Sequence, residues 1–285
     1  MRTFSCLVIG ENPEEQLQKY HSFRYTGIEN QYVVDIDVTK DAIEYIKGCG
    51  VYQTLRHYKL YDKDAIITDE QEIDIENRHK YGYAIVQNKK LIKLVIRTNP
   101  DSKWKRYNSS DKLLLKGGTK TFQALKRNVD FETAINNAYS EVEKEYNGFQ
   151  TFLFSNNLEF PKTWNECIAE FKTREKASKF YNDQIAVKIF KKSVYDYKFS
   201  DKAQSYYAFG GDPFEYFGRS KESFIERFKY RNILTDSVLK DSEWFSSPNS
   251  LILEPTNMKM WTDKFLKLIN STSDNTLLSY YICSV

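Results

Sequence analysis

Residues 4–16 read FSCLVIGENPEEQ and predict how the chain begins. Residues 4–9 form a short apolar run rich in strand-forming side chains, and Gly10 ends it. Asn12 then supplies a helix N-cap, Pro13 suits the first helical position, and acidic residues follow in the first turn. The stretch therefore predicts a strand followed by a helix over residues 12–20.

A second short apolar segment, residues 276–283, lies near the other end of the chain. Neither terminal strand can bury a face alone, so we expect the two to lie in one sheet. Between them, residues 81–86 and 90–96 flank a short polar turn and predict a hairpin. Apolar residues at helical spacing over 130–146, and the capping box Thr163–Glu166, predict helices.

These elements together predict an α+β fold. Its core is a mixed or antiparallel sheet that holds the N- and C-terminal strands, and its middle region consists of helices and hairpins. We expect residues 1–80 and 200–285 to form this core, with residues 81–199 as an inserted hairpin and helical arm. A chain of 285 residues is long enough to bury such a core without disulfides.

Local patterns give further expectations along the chain. Thr39 and Gly48 predict a helix that is confined to residues 41–47, and residues 51–80 show no clear period. One helix is expected from the capping box to about residue 181. Residues 206–209 and 215–217 are short and aromatic, which favours strands, and Ser220 predicts a helix cap. Residues 233–239 and 244–245 predict another hairpin, and residues 258–269 a helix.

Composition indicates a globular, intracellular protein. Hydrophobic residues make up 41% of the chain and charged residues 28%, and no apolar run approaches the roughly 20 residues of a membrane span. The apolar run at the N-terminus is too short for a signal peptide. The four cysteines, Cys6, Cys49, Cys167 and Cys283, show no C-x-x-C spacing, so reduced thiols are expected.

The net charge of +3 conceals a segregation of charge along the chain. Residues 1–80 carry 10 basic and 15 acidic side chains, whereas residues 81–127 carry 12 basic and 2 acidic side chains. Such a basic segment favours an anionic partner, either nucleic acid or the acidic face of a protein. The alternative is a solvated hairpin whose lysines pair with the acidic flanks.

Two aromatic and basic stretches are the candidate partner-binding residues. We expect the basic segment to project from the core and to contribute to binding. Tyrosine and tryptophan beside cations are typical of protein interfaces, and they also suit base stacking or a core. The candidates are Lys103, Trp104, Lys105, Arg106 and Tyr107 in the first stretch, and Tyr195, Tyr197, Lys198 and Phe199 in the second.

The sequence contains no strong catalytic motif. The three histidines lack metal-ligand spacing, and neither a G-x-S-x-G elbow nor a Walker A loop is present. Carboxylates cluster at Asp62, Asp64, Asp69, Glu70, Glu72, Asp74 and Glu76, which suits a solvated face or, alternatively, a two-metal site. We therefore expect a protein that is not an enzyme, with no catalytic residue, no metal and no cofactor.

The opening motif VIGENPEEQL at residues 8–17, followed by Lys19-Tyr20-His21, resembles a family of uncharacterised proteins common in tailed-phage genomes. Shorter matches to the same family include Asn99-Pro100 before Lys103-Trp104, and Phe160-Pro161 before Trp164. The chain departs from the family pattern after Trp104 and after Phe245, where family members are richer in glycine and tryptophan. The family supplies no catalytic residues to transfer.

In size and character the chain also resembles phage-encoded inhibitors of the Gabija anti-phage defence system. The resemblance implies a homo-oligomer in the cytoplasm of the infected bacterial host. It also implies direct binding to a bacterial defence protein complex, which blocks DNA engagement or cleavage. A net charge of +3 argues against DNA mimicry. The alternatives are a nucleic-acid-binding protein, which is not favoured, and a metal-dependent phage enzyme; a membrane partner is not expected.

Overall fold

The chain has an α+β fold in a computed structural model that describes residues 3–60, 66–68, 80–171, 173–193, 201–208, 210–247 and 255–285. It divides into two compact units. Unit 1 comprises Met1–Ser110, Leu239–Trp244 and Ser279–Val285, and unit 2 comprises Asp111–Val238 and Phe245–Leu278. None of the helices in the described ranges combines the length and the apolar character needed to cross a membrane.

The N- and C-terminal strands are neighbours in a six-stranded sheet of order β11-β10-β1-β12-β6, with β9 also paired to β12. This confirms the expectation from the terminal apolar runs. Residues 6–9 of β1 are all buried, as expected for a strand that has a neighbour on both sides in the sheet. The strands are β1 (Thr3–Ile9), β6 (Arg106–Ser109), β9 (Gln123–Leu125), β10 (Ser237–Lys240), β11 (Glu243–Ser246) and β12 (Leu277–Ser284).

A four-stranded sheet of order β2-β5-β4-β3 lies in unit 1. Its strands are β2 (Val34–Asp37), β3 (Ile66–Thr68), β4 (Gly82–Gln87) and β5 (Lys90–Thr98). The predicted hairpin is confirmed as β4 and β5, joined by Asn88 and Lys89, which both have positive φ, as a tight hairpin turn requires. Gly82 has φ +120°, and a Cβ there would collide with the Val95 carbonyl.

Eleven helices are present in the described ranges, and a two-stranded hairpin, β7 (Leu113–Leu114) and β8 (Lys120–Thr121), completes the elements. Unit 1 holds α1 (Pro13–Gln18), α2 (Phe23–Thr26) and α3 (Thr39–His57). Unit 2 holds α4 (Phe131–Ser155), α5 (Trp164–Phe171), α6 (Arg174–Asp183), α7 (Ile185–Ser193), α8 (Asp201–Ala208), α9 (Pro213–Phe217), α10 (Lys221–Phe228) and α11 (Pro255–Asn270).

Aromatic side chains fill the core of unit 2. Helix α4 buries one face along its length, and Phe149 on it stacks on Phe217 with ring centroids 4.1 Å apart. Phe149 also contacts Phe214, and Phe217 contacts Phe224, so α4, α9 and α10 share one cluster. Aromatic burial of this kind is a large part of the stabilisation that a helical layer gains.

Some expectations about helices are wrong. The expected aromatic strands at 206–209 and 215–217 are helical where they are described. Residues 215–217 are helical because Asp212 accepts a hydrogen bond from the Phe214 N–H and Pro213 occupies the first helical position. Helix α3 passes through Gly48 and breaks only at Gly50, which has φ 80° and ψ 167°, and residues 51–57 are helical rather than irregular. The single helix expected to run to about residue 181 is two helices, α5 and α6.

The division into units differs from the expected boundaries of 1–80, 81–199 and 200–285. The hairpin of β4 and β5 belongs to unit 1, because β5 pairs with β2 and Leu94 packs in the same cluster as Ala42 and Leu55 of α3. Residues 213–228 belong to unit 2, because their aromatic side chains pack on α4. Sequence proximity therefore did not predict which elements pack together.

Candidate partner-binding surface

Trp104 does not project from the protein. Its side chain is 1% exposed and packs against Tyr20 and Trp244, with ring centroids 5.9 and 5.4 Å away. The cause is local pairing, since Trp104 bridges to His21 and its carbonyl accepts a hydrogen bond from the Ser22 N–H at 2.8 Å. The expectation that Trp104 belongs to a projecting contact surface is therefore wrong.

The other candidates of the first stretch differ in exposure. Lys103 and Arg106 are exposed, and Lys105 and Tyr107 are half-buried. Tyr107 lies against the ring of Tyr281, with the centroids 5.5 Å apart. The candidates Tyr195, Tyr197, Lys198 and Phe199 and the predicted carboxylate cluster from Asp62 to Glu76, in contrast, lie outside the described residues.

Lys105 belongs to a different surface, built around helix α2. Its Nζ lies 4.1 Å from the ring centroid of Tyr25, and Lys59 Nζ lies 3.9 Å from the same centroid. Tyr25 is 55% exposed, so two cations hold an accessible tyrosine ring. Cation–π contacts at exposed sites contribute about 0.5–1 kcal/mol each, which is enough to bias the position of the ring.

Two further cations, Arg24 and Lys80, lie at helix α2 or beside its last turn. Arg24 precedes Tyr25 in α2, and its carbonyl accepts a hydrogen bond from Lys59 Nζ at 3.4 Å. Gly27 ends the helix with φ +65°, and a Cβ at that position would collide with Lys80 Nζ. The positive φ favours glycine at this position, whereas the flexible end of the Lys80 side chain could move aside. We refer to Arg24, Lys59, Lys80 and Lys105 as the α2 cation cluster.

The α2 cation cluster has no carboxylate partner among the described residues. None of the four side chains forms an ion pair there, and the Arg24 Nε and Nη2 atoms are buried without a hydrogen-bond partner. Burial lowers the pKa of Arg24, which the nearby Tyr58 opposes. The surface therefore presents positive charge that its own described neighbours leave uncompensated.

Aromatic and apolar groups surround the cluster. Ile28 follows Gly27 directly and is 62% exposed. Tyr58 lies close enough to Arg24 to affect its pKa, and Tyr58 contacts His57 edge-on at 5.0 Å, while His57 stacks on Tyr45 with centroids 4.6 Å apart. The combination of exposed tyrosine, isoleucine and unpaired cations resembles the centre of a protein interface.

Sequence analysis identified Lys105 but missed the rest of this surface. Lys59 and Lys80 lie in a stretch expected to be irregular, and Arg24 lies in a short helix that no periodicity marks. The adjacent Arg24-Tyr25 before Gly27 is the signal that could have drawn attention to the turn. Nothing in the sequence connects residue 24 with residues 59, 80 and 105, because the fold brings them together.

A buried carboxylate in unit 2 has a structural role. Asp212 accepts hydrogen bonds from the Trp164 N–H at 2.6 Å, the Phe214 N–H at 2.9 Å and the Tyr181 hydroxyl at 2.7 Å. Burial raises the pKa of Asp212, while these donors oppose the rise. Its acceptor sites hold the start of α5 and α9 and a residue of α6, which is a capping arrangement.

No group of three or more histidine, cysteine or acidic side chains in the described part of the chain is placed to hold a metal ion. All four cysteines are free, as expected, and only Cys49 is exposed.

No family model matches the chain, and no curated protein or solved structure matches it. The surface around α2 and the resemblance of the opening motif are therefore the basis for a functional proposal.

Proposed function

We propose that this protein is a phage-encoded counter-defence protein that is not an enzyme. It inhibits a bacterial anti-phage nuclease complex of the Gabija type by direct protein binding, and thereby blocks DNA engagement or cleavage. It acts as a homo-oligomer in the cytoplasm of the infected host. The observation that carries the proposal is the exposed ring of Tyr25, which Lys59 and Lys105 both contact, in a cluster of cations that form no ion pair with the described residues.

The chemistry of this surface suits a protein partner. Tyrosine and arginine are enriched among the interface residues that contribute most binding free energy, and a tyrosine loses little conformational entropy on binding. The exposed Ile28 beside the turn adds apolar area. Acidic side chains of the partner would supply counter-charges that the described neighbours of the α2 cation cluster do not, so contact would neutralise both surfaces.

Nucleic acid is the second candidate, since lysines and tyrosines also bind phosphate and bases. The excess of acidic residues in this part of the sequence argues against it. Glu29 and Asp35 lie in the same unit, where both pair with Arg97 at 3.0 Å, and acidic side chains outnumber basic ones over residues 1–80. An extended phosphate backbone would meet this negative charge, whereas a protein with a few placed carboxylates would not.

The direct test is capture of the defence complex from bacteria that carry a Gabija system, together with plaque counts on the same strain. The wild-type protein should co-purify with the complex and restore phage growth. Tyr25→Ala should weaken binding about tenfold or more without changing the melting temperature, because the ring is largely exposed.

Tyr139→Ala is the matched control, because Tyr139 is an exposed tyrosine of α4 in unit 2. It should bind and protect like the wild type. Failure of the wild-type protein to capture the complex, or equal binding by both variants and the wild type, would contradict the proposal.

A further inference from the structure

Helix α2 presents the side chain of Tyr25 to solvent from a well-anchored backbone. The Tyr25 N–H donates to the Ser22 carbonyl at 3.0 Å, and the side chain of Phe23 is fully buried. The Ser22 N–H donates in turn to the Trp104 carbonyl at 2.8 Å, which joins the short helix to the segment that carries Lys105. The Tyr25 ring is 55% exposed. A phenol is therefore accessible at a defined position in unit 1.

Two half-buried lysines contact the ring of Tyr25. Lys59 Nζ and Lys105 Nζ lie 3.9 and 4.1 Å from its centroid. Lys59 Nζ also donates to the Arg24 carbonyl at 3.4 Å, and the Lys105 N–H donates to the Ser284 carbonyl at 2.7 Å. Half-buried lysines lie along the protein surface and keep only their ammonium groups in water. The phenol oxygen thus lies beside two placed positive charges.

These charges favour the reactive form of the phenol. A hydrogen bond from Lys105 lowers the pKa of Tyr25 and the charge of Lys59 lowers it further, while burial opposes both effects. A lowered pKa activates a nucleophile, because the deprotonated form attacks. A phosphate on the same oxygen would carry a double negative charge and accept charge-assisted hydrogen bonds from both lysines. The same two contacts therefore favour attack by the tyrosine oxygen and its phosphorylated product.

We infer that Tyr25 is a phosphorylation site, modified by a protein tyrosine kinase of the infected cell with a nucleoside triphosphate as donor, and that phosphorylation ends partner binding. The tyrosine oxygen forms a bond to the γ-phosphorus, the bond from that phosphorus to the β–γ bridging oxygen breaks, and the nucleoside diphosphate leaves. The phenol proton passes to the general base of the kinase. The inference rests on the proposed function and specifies how the α2 surface is regulated.

The change of charge explains the loss of binding. A phosphorylated tyrosine gains a charge of about −1.5 to −2 at neutral pH, which offsets the charges of Lys59 and Lys105. Carboxylates of the partner then meet a phosphate at the centre of the surface, and like charges repel. The fold itself should be unaffected, since the Tyr25 ring is already more than half exposed. Phosphorylation therefore separates binding from stability.

Tandem mass spectrometry of the full-length protein, purified from infected bacteria with phosphatase inhibitors, locates the modification. We expect phosphate on Tyr25 and much lower occupancy on Tyr52. Tyr52 is the matched control, because it is 66% exposed in the same unit but no cation lies over its ring among the described residues. Lack of phosphate on Tyr25, or equal occupancy of the two tyrosines, would overturn the inference.

Phosphorus NMR of protein with genetically encoded phosphotyrosine at position 25 tests the role of the lysines. The second pKa of the phosphate, about 6 without neighbours, should be lowered by about 0.5 or more. Lys59→Gln with Lys105→Gln should restore the ordinary value. Lys116→Gln with Lys120→Gln removes the same charge from exposed positions in unit 2 and should leave the lowered value unchanged. One phosphate pKa in all three proteins would overturn the inference.

Capture of the defence complex separates this inference from the proposed function. Phosphotyrosine at position 25 should weaken capture at least about tenfold, whereas phosphotyrosine in place of Tyr139, an exposed residue of unit 2, should leave it within about twofold. Equal capture by the unmodified protein and by protein phosphorylated at Tyr25 would contradict this inference alone. Phosphate on Tyr25 of a protein that captures no complex in its unmodified form would contradict the proposed function alone.

Discussion

At the scale of single residues, neighbours in sequence have opposite environments. Lys103 is exposed, Trp104 is buried, and Lys105 extends to Tyr25. Extended backbone directs successive side chains to opposite sides, so a tryptophan between lysines can lie in the core while both lysines reach the surface. The backbone bridge between Trp104 and His21 determines that the Trp104 side faces the interior.

Trp104→Ala should destabilise the protein by about 3–5 kcal/mol, the usual cost of truncating a buried tryptophan. Trp104→Phe should cost much less, since the indole Nε1 has no hydrogen-bond partner and an aromatic ring is retained. Lys103→Ala should change the free energy of unfolding by no more than about 0.5 kcal/mol. Urea denaturation of the three variants checks this order, and a stable Trp104→Ala protein would contradict the described packing.

Glu166 should make stability depend on pH in the acid range. Arg219 holds its carboxylate through two hydrogen bonds at 2.6 and 3.1 Å, and with the Thr163 N–H this lowers the pKa of Glu166 to about 2 from its ordinary value of 4.5. A lowered pKa contributes stability above pH 4.5, and that contribution is lost as the pH falls toward 2. Because both side chains are substantially exposed, the contribution should be only about 0.5–1 kcal/mol.

Glu166→Gln should remove this acid-sensitive contribution. Urea denaturation at a series of pH values from about 6 to 2.5 measures it as the difference between the variant and the wild type. The difference should shrink as the pH falls. Glu175→Gln, a change at an exposed acid on α6, should leave the pH profile as it is, and the same profile for all three proteins would count against the Arg219 contact.

At the scale of elements, strand β12 determines whether the six-stranded sheet can form. It lies between β1 and β6 and pairs antiparallel with β6, with Tyr281 opposite Ser109. Its buried residues include Leu278, Tyr281 and Cys283. Without β12, β1 would lose a neighbour on one side and expose backbone groups that a folded protein must satisfy.

Truncation after Asn275 should therefore abolish the cooperative melting transition, while removal of Val285 alone should not, because Val285 is exposed and lies beyond β12. Circular dichroism at increasing temperature measures both. A truncated protein that keeps the wild-type melting temperature would show that β12 is dispensable.

At the scale of the whole molecule, the charge distribution separates the two proposed partner classes. Residues 81–127 carry 12 basic and 2 acidic side chains, but in the structure they are divided between the two units. The basic segment thus does not form one compact element, and the α2 cation cluster holds only Lys105 of its twelve cations. Only a small number of counter-ions would be released on binding.

We expect the affinity for the defence complex to fall by less than about tenfold between about 50 and 200 mM salt. A protein bound to a nucleic-acid backbone through several phosphates loses about a thousandfold or more over the same range. Surface plasmon resonance at four salt concentrations distinguishes the two cases. A steep slope would favour the nucleic-acid alternative, and the slope for an oligonucleotide serves as the reference.

The sequence by itself predicted much of the fold. The terminal apolar runs, the β4–β5 hairpin, the Thr163 capping box and the Ser220 cap are local signals, since each depends on residues a few positions apart. Such signals do not depend on the rest of the chain, and all four predictions are confirmed. The prediction of a strand at residues 215–217 was wrong, because the helix start signal of Asp212 and Pro213 outweighs the strand propensity of the aromatic residues.

The tertiary structure alone decided the units and the candidate surface. Trp104 became part of the core through Tyr20 and Trp244, which are 84 and 140 positions away in the sequence. The α2 cation cluster likewise combines residues 24, 59, 80 and 105. Periodicity and capping act over a few residues, whereas burial and uncompensated charge depend on which distant segments pack together. For this reason a local pattern placed the strands and helices but not the surface proposed to bind the partner.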